Sequence, residues 1–265
     1  MIQFVKIFKL TTAITLGLTF TVSAVEAPKR IDVSHLSKRV DEVVVPLPNE
    51  VFGALDKLGG VDWKEFVRSG RGNPFTERPR IALLLGSVIA DGFIAVQAKD
   101  APAVKDIGQR VLALAKGIGV GNSITPHAKA ITEAADKRNW ILVRQELDRT
   151  QNSVQQAMTE VHDEKLSHLV SLGGWLRGVE VLTAVVNKRF SPDGAELLHQ
   201  PDLLNYFDDR LGAMPEINLK LLQDIRGALG EVRPLIEVET PISAESVKRI
   251  NDITTRLDEA IVKKG

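Results

Sequence analysis

The sequence predicts an all-α protein, a multi-helix bundle of about eight to ten helices. Three observations predict it. Leucine and other apolar residues recur at helical spacing between cap and breaker signals along most of the 265 residues. Two stretches, 81–96 (IALLLGSVIADGFIAV) and 168–186 (HLVSLGGWLRGVEVLTAVV), are apolar on nearly every side, which marks central helices with no solvent face. Strand-like alternation is almost absent; residues 235–238 are the one short piece that reads as extended.

Each element has its own signals. Asn49 caps a short helix that Gly59-Gly60 stops near Leu58. Asp62 caps another through Arg68, and a loop rich in Gly and Arg covers 69–75. Thr76 is the expected cap of a helix over 77–98, with Pro79 tolerated in its first turn. Ala101-Pro102 opens a helix to Lys116, ended by GIGVGN at 117–122. Thr125-Pro126 reads as cap and first turn of a helix over 126–138. Long helices follow over about 140–163 and 165–188. Ser191-Pro192 and Gln200-Pro201 open two more. Asn218 or Glu216 starts one that stops near Gly230, and Ser243 caps the last, with Ser246, Arg249, Asp252 and Arg256 facing outward.

The N-terminus has the layout of a secretory signal peptide over 1–24. Lys6 and Lys9 supply charge, 10–22 is an uncharged, largely apolar run, and small residues place cleavage near 24 or 27. The run is shorter than the ~20 residues a spanning helix needs, so no transmembrane span is expected after signal removal. Residues 28–48, with Val43-Val44-Val45 before Pro46 and Pro48, read as an N-terminal tether, and 49–265 as a single helical domain. The expected destination is outside the cytoplasm, in a bacterial periplasm.

Composition narrows the function classes. Apolar residues are 44% and charged residues 26% of the chain, which suits a folded globular protein and argues against disorder. Basic and acidic residues balance at 34 each; losing 1–24 removes two lysines and leaves a net of −2. That gives no electrostatic case for nucleic acid or an anionic membrane as partner. With no cysteine, disulfides, thiolate catalysis and lipoprotein anchoring are excluded. Three Trp, one Tyr and nine Phe are few for an aromatic sugar platform.

The best candidate site is charge inside the apolar helices. Asp91 lies in the middle of one, and Arg177 and Glu180, at i and i+3, share a face of the other. An unpaired buried ion costs several kcal/mol, so Asp91 and Arg177 are expected to meet, with Glu180 and Ser87 beside them. The cluster is either a structural ion pair or a ligand-binding site in which Arg177 holds a carboxylate or phosphate. A faint internal similarity superposes 83–98 on 169–184, placing Gly92 on Gly178; if repeated, these segments would pair two pseudo-symmetric halves. Gly86, Gly92, Gly173, Gly174 and Gly178 would then let the helix axes approach closely.

A second candidate is an anion-binding loop formed by Arg68, Arg71, Arg78 and Arg80 near a helix N-terminus, set against a solvated basic loop. GIGVGN follows a helix, where a dinucleotide fingerprint would follow a strand, so it reads as a cap and turn. The five histidines show no metal-ligand spacing, and no G-x-S-x-G marks a nucleophile. No catalytic residue, metal or cofactor is assigned. The sequence supports an exported, non-catalytic binding protein that takes a small molecule or a partner protein between its central helices. The alternative is a structural or interaction scaffold with no ligand. A cavity beside Asp91 and Arg177 would favour the first, and a solid centre with an exposed apolar patch the second.

Overall fold

The computed structural model describes residues 38–40, 43–45, 48–68, 70 and 75–263. The signal peptide expected over 1–24 and most of the tether lie outside these residues. Ten α-helices account for nearly all of what is described: α1 (Pro48–Leu58), α2 (Arg78–Gln97), α3 (Ala101–Gly117), α4 (Gly121–Asp136), α5 (Trp140–Glu160), α6 (Glu164–Lys188), α7 (Pro192–Glu196), α8 (Pro201–Gly212), α9 (Lys220–Ile236) and α10 (Ala244–Val262). A 3-10 turn, Trp63–Phe66, joins α1 to the segment before α2. Strands β1 (Lys38–Val40) and β2 (Val43–Val45) form a short antiparallel ladder, with Arg39 opposite Val44, and β2 runs beside α8. The protein is an all-α multi-helix bundle.

Helices α2 and α6 form the centre. They make the most extensive contact in the molecule. All of 81–96 is buried, and so is most of α6 between Leu166 and Val186. Both are long and apolar enough to cross a membrane, but their most apolar windows are 89% and 78% buried within the bundle. Helices α3, α4 and α5 pack in sequence on one flank, with α3 and α5 closing on α2. On the other flank α10 lies against α6 and α9, and α1 against α6.

Glycine sets the spacing of the central pair. A Cβ on Gly86 would stand 1.8 Å from the carbonyl oxygen of Val170, and one on Gly173 would stand 2.0 Å from that of Leu83. The two backbones therefore touch, and any side chain at these positions would wedge them apart. The segments that follow do not run alike: α2 leads to the 17-residue α3, which packs back on it, while α6 leads to the five-residue α7.

Four successive corners share one design. Lys99, Gly119, Arg138 and His162 end α2 to α5 in the left-handed region, with φ of 53°, 92°, 51° and 54°. In each, the following amide reaches back five residues, as from Asp100 N to Ala95 O at 3.0 Å and from Asn139 N to Ala134 O at 2.9 Å. This is the Schellman closure of a helix end. Asp100 and Asn139 then cap the next helix, accepting from Ala103 N at 2.9 Å and Leu142 N at 3.1 Å. The corner residue of one helix thus adjoins the cap of the next.

Several boundaries differ from those the sequence predicts. Helix α4 starts at Gly121, so Pro126 lies inside it and not in its first turn, and the Thr125 hydroxyl donates to the Gly121 carbonyl at 2.9 Å. The N-cap of α2 is Glu77, one residue past Thr76. Helix α9 starts after Leu219, continues past Gly230 and absorbs Pro234 near its end, so Leu235 and Ile236 close a helix and do not form an extended piece. The missing N–H of Pro234 falls on the Gly230 carbonyl, one turn back, and only two residues of helix follow the proline. Asp62, Ser191 and Ser243 cap as expected.

Candidate functional site

The charges of the two central helices meet. Arg177 Nε donates to Asp91 Oδ1 at 2.8 Å, and the same guanidinium bonds to Glu180 on its own helix and, through its second amino group, to the carbonyl of Phe66 at 2.6 Å. Ser87 lies one turn before Asp91 on α2 and is fully buried. Asp91, Arg177, Glu180 and Ser87 thus form one cluster, as their positions on two apolar helices imply.

Two further groups complete it. Arg68 lies just past the 3-10 turn and reaches inward. Its Nε donates to Asp91 Oδ1 at 3.0 Å, and a terminal nitrogen donates to Asp91 Oδ2 and to Ser87 Oγ, both at 2.9 Å. Its other terminal nitrogen bonds to Asp258 on α10, which also accepts from Ser87 Oγ at 3.3 Å. Asp91 therefore sits between two guanidiniums, and the network ties the 3-10 segment, α2, α6 and α10 together.

Two cations face three carboxylates here. Burial pushes the Glu180 carboxyl up, and the nearby Asp258 adds to this against the opposing pull of Arg177 and Arg68. Burial likewise raises Asp258, reinforced by Asp91 and opposed by Arg68 and Arg177. Burial alone would lower Arg68, but the attraction of Asp91 and Asp258 outweighs it and holds the guanidinium above its ordinary value. Asp91 and Arg177 are 1% and 3% exposed and spend their polar atoms on each other and on neighbours. The helix backbones touch at Gly86 and Gly173, and neither recess described below lies between α2 and α6.

Space is found on the other side of α6. Trp175, Leu176 and Val179 face α9 and α10 across a narrow recess whose cavity volume is about 20 Å³. Leu198, Ala228, Leu229, Val232, Ile236, Ile250 and Leu257 line the rest, with Gln200 and Thr254 as its polar members. Both polar side chains are turned to protein partners. Gln200 accepts from Trp175 Nε1 at 3.1 Å and donates to Leu197 O at 2.6 Å, and Thr254 donates to Ile250 O at 2.9 Å. A second, smaller recess of about 10 Å³ shares Trp175, Val179 and Gln200 and is also lined by Gly174 and Gly178.

The arginines of the candidate anion loop do not converge. Arg68 belongs to the buried cluster. Arg78 donates to the carbonyl of Ile118 at 3.0 Å, at the end of α3, and pairs with Asp163. Arg80 donates to Ala260 O at 2.8 Å and to the carbonyl of Lys263, at the end of α10, and stacks over the Phe75 ring. Arg71 lies outside the described residues. Helix C-termini carry unpaired carbonyls and partial negative charge, so they compete with any external anion for these guanidiniums.

Sequence reading missed Arg68 and Asp258 as members of the cluster. Asp258 carried a usable signal: it falls four residues after Thr254 and three before Ile261, on the inward face of α10. Arg68 carried none, because a 3-10 segment gives no periodic face. The recess was equally hidden, since its walls come from α6, α9, α10 and the α7–α8 connection. Among the described residues no group of three or more His, Asp or Glu could hold a metal ion. Compared with family models, curated proteins and solved structures, the chain matches none of them.

Proposed function

We propose that this is an exported binding protein, directed to a bacterial periplasm by its N-terminal segment, whose helical bundle takes a small apolar ligand and performs no chemistry on it. The observation that carries the reading is the recess between α6, α9 and α10, with ten apolar lining residues and two polar ones whose polar atoms face protein partners. Ligand pockets are concave and mostly apolar; this one encloses about 20 Å³, so a ligand enters by parting α6 from α9 and α10. A recess offering hydrocarbon on nearly all sides suits an alkyl or aromatic group. It does not suit the carboxylate or phosphate that a site at Arg177 would take. The Asp91–Arg177 cluster is on this reading a structural fixture that holds α6 in place as one wall.

The test is titration of the mature protein with N-phenyl-1-naphthylamine, an uncharged fluorophore, alongside native mass spectrometry of gently purified material. Saturable binding near one equivalent is expected, lost in Ala228→Phe, whose ring occupies the recess, and kept in Ala130→Phe on the remote helix α4. Failure of the native protein to bind the probe, together with a clean apo mass, would overturn the reading and leave the scaffold alternative.

A further inference from the structure

On the opposite flank, α4 and α5 bring together three side chains that neither the sequence motifs nor the binding reading uses. His127 on α4 stands between two residues of α5. Its Nδ1 is 2.9 Å from Glu146 Oε2 and its Nε2 is 2.9 Å from Ser153 Oγ. Glu146 and Ser153 are seven residues apart, two helical turns, and so lie on the same face. The imidazole spans the gap between them.

The protonation pattern follows from the carboxylate. Glu146 is 5% exposed. Burial alone would raise its carboxyl, but hydrogen bonds from His127 and Arg149 outweigh that and hold it below the usual carboxylate range. An ionised carboxylate can only accept, so it takes the Nδ1 proton of His127. In the neutral imidazole Nε2 is then a free base, and Ser153 must donate its hydroxyl proton to it. This is the serine–imidazole–carboxylate relay that converts a hydroxyl into a nucleophile, and it is recognised by geometry and not by chain order.

The surroundings also differ from those of a buried structural bridge. The His127 side chain is 21% exposed, and Ser153 is half-buried, so a reagent in solvent can approach. Arg149 lies one turn before Ser153 on the same helix face, with its guanidinium held by Glu146 and 60% exposed. It is a cation placed near where an acyl oxygen would become negative.

We propose that Ser153 is an activated nucleophile toward small carboxylic esters, with His127 as its general base and Glu146 as the positioning residue that fixes the imidazole tautomer. In the first step the Ser153 Oγ–carbonyl carbon bond forms and the ester C–O bond breaks. The hydroxyl proton passes to His127 Nε2 and from there to the departing alkoxide. Water then attacks the acyl-serine, gives a proton to His127, and releases the carboxylic acid as Ser153 recovers its proton.

The full chain is treated with an alkyl fluorophosphonate, which phosphonylates an activated serine with loss of fluoride, and the adduct is located by peptide mass spectrometry. A single adduct at Ser153 is expected, absent in Ser153→Ala. His127→Gln should slow labelling by about 100-fold or more, the scale of general-base assistance. Glu146→Gln should slow it too, and Glu146→Asp, which keeps an accepting carboxylate, should recover part of the rate. Circular dichroism of each variant separates loss of reactivity from loss of fold. The proposal is overturned if the native chain gives no adduct at Ser153, if a folded His127→Gln variant reacts as fast as the native chain, or if Glu146→Asp is no faster than Glu146→Gln.

Discussion

Gly86 and Gly178 lie on the two central helices and look alike in the sequence, yet substitution should move stability in opposite directions. A Cβ at Gly86 would meet the Val170 carbonyl at 1.8 Å and Gly174 N at 2.7 Å, both backbone atoms that cannot swing away. Gly86→Ala is therefore expected to cost about 3 kcal/mol or more in urea unfolding, the upper range for overpacking. A Cβ at Gly178 meets nothing within 4 Å, so Gly178→Ala should gain up to about 1 kcal/mol from helix propensity alone. At Arg177 the expected loss is larger. Arg177→Met leaves the Phe66 carbonyl without its donor and Asp91 with Arg68 alone, at 2.9 Å and one-quarter exposed. Breaking one side of a buried pair costs about 3–5 kcal/mol, and denaturant unfolding of the variant would show it. A Met variant as stable as the native chain would mean that Arg68 alone neutralises Asp91. At this scale Asp91, Arg177, Glu180 and Ser87 were legible because three of them are charges in the middle of all-apolar helices. Arg68 was not, because its side chain reads as ordinary loop charge until the fold turns it inward.

Elements were read best where a side chain does the capping. Asp62, Ser191 and Ser243 each accept an amide near the start of a turn or helix, and a short polar side chain before an apolar run announces that in the sequence. Helix ends were read less well, since glycine was the expected stop and three of the four tight corners use Lys99, Arg138 and His162. For these residues the Schellman bonds, and not intrinsic preference, fix the left-handed conformation. The strain is removable. An L-residue with a Cβ costs about 1–2 kcal/mol in the left-handed region, so Arg138→Gly is expected to raise stability by about 1 kcal/mol, read as a shift in the denaturation midpoint with unchanged slope. A proline misled in the other direction. Pro126 read as the first turn of a helix, but it lies inside one that starts at Gly121.

For the molecule as a whole the unequal charges of the central network set a pH dependence. Glu180 and Asp258 have carboxyls raised in the folded state. The folded protein therefore holds protons that the unfolded chain has already released, and stability falls as pH rises from about 4, the ordinary carboxylate range, through the raised values. Glu146, held low, contributes with the opposite sign and loses its share as pH falls. Comparing unfolding free energies of the native chain and Glu180→Gln across pH 4 to about 8 isolates the first effect: the variant should show a shallower decline with rising pH. Equal slopes would show that the proton is not shared at Glu180.

The span of that network also bears on when the protein can finish folding. Arg68 bonds to Asp258 across 190 positions of chain, and α10 follows every other described helix. During synthesis from the N-terminus, α2 and α6 can find each other early, but Ser87 and Arg68 wait for their partner on α10 until almost the whole chain has been made. Contacts between such distant positions slow folding because the intervening loop must close first. Helix α10 therefore acts as a clasp in time as well as in space, since Arg68 and Ser87 gain Asp258 only once it has been made.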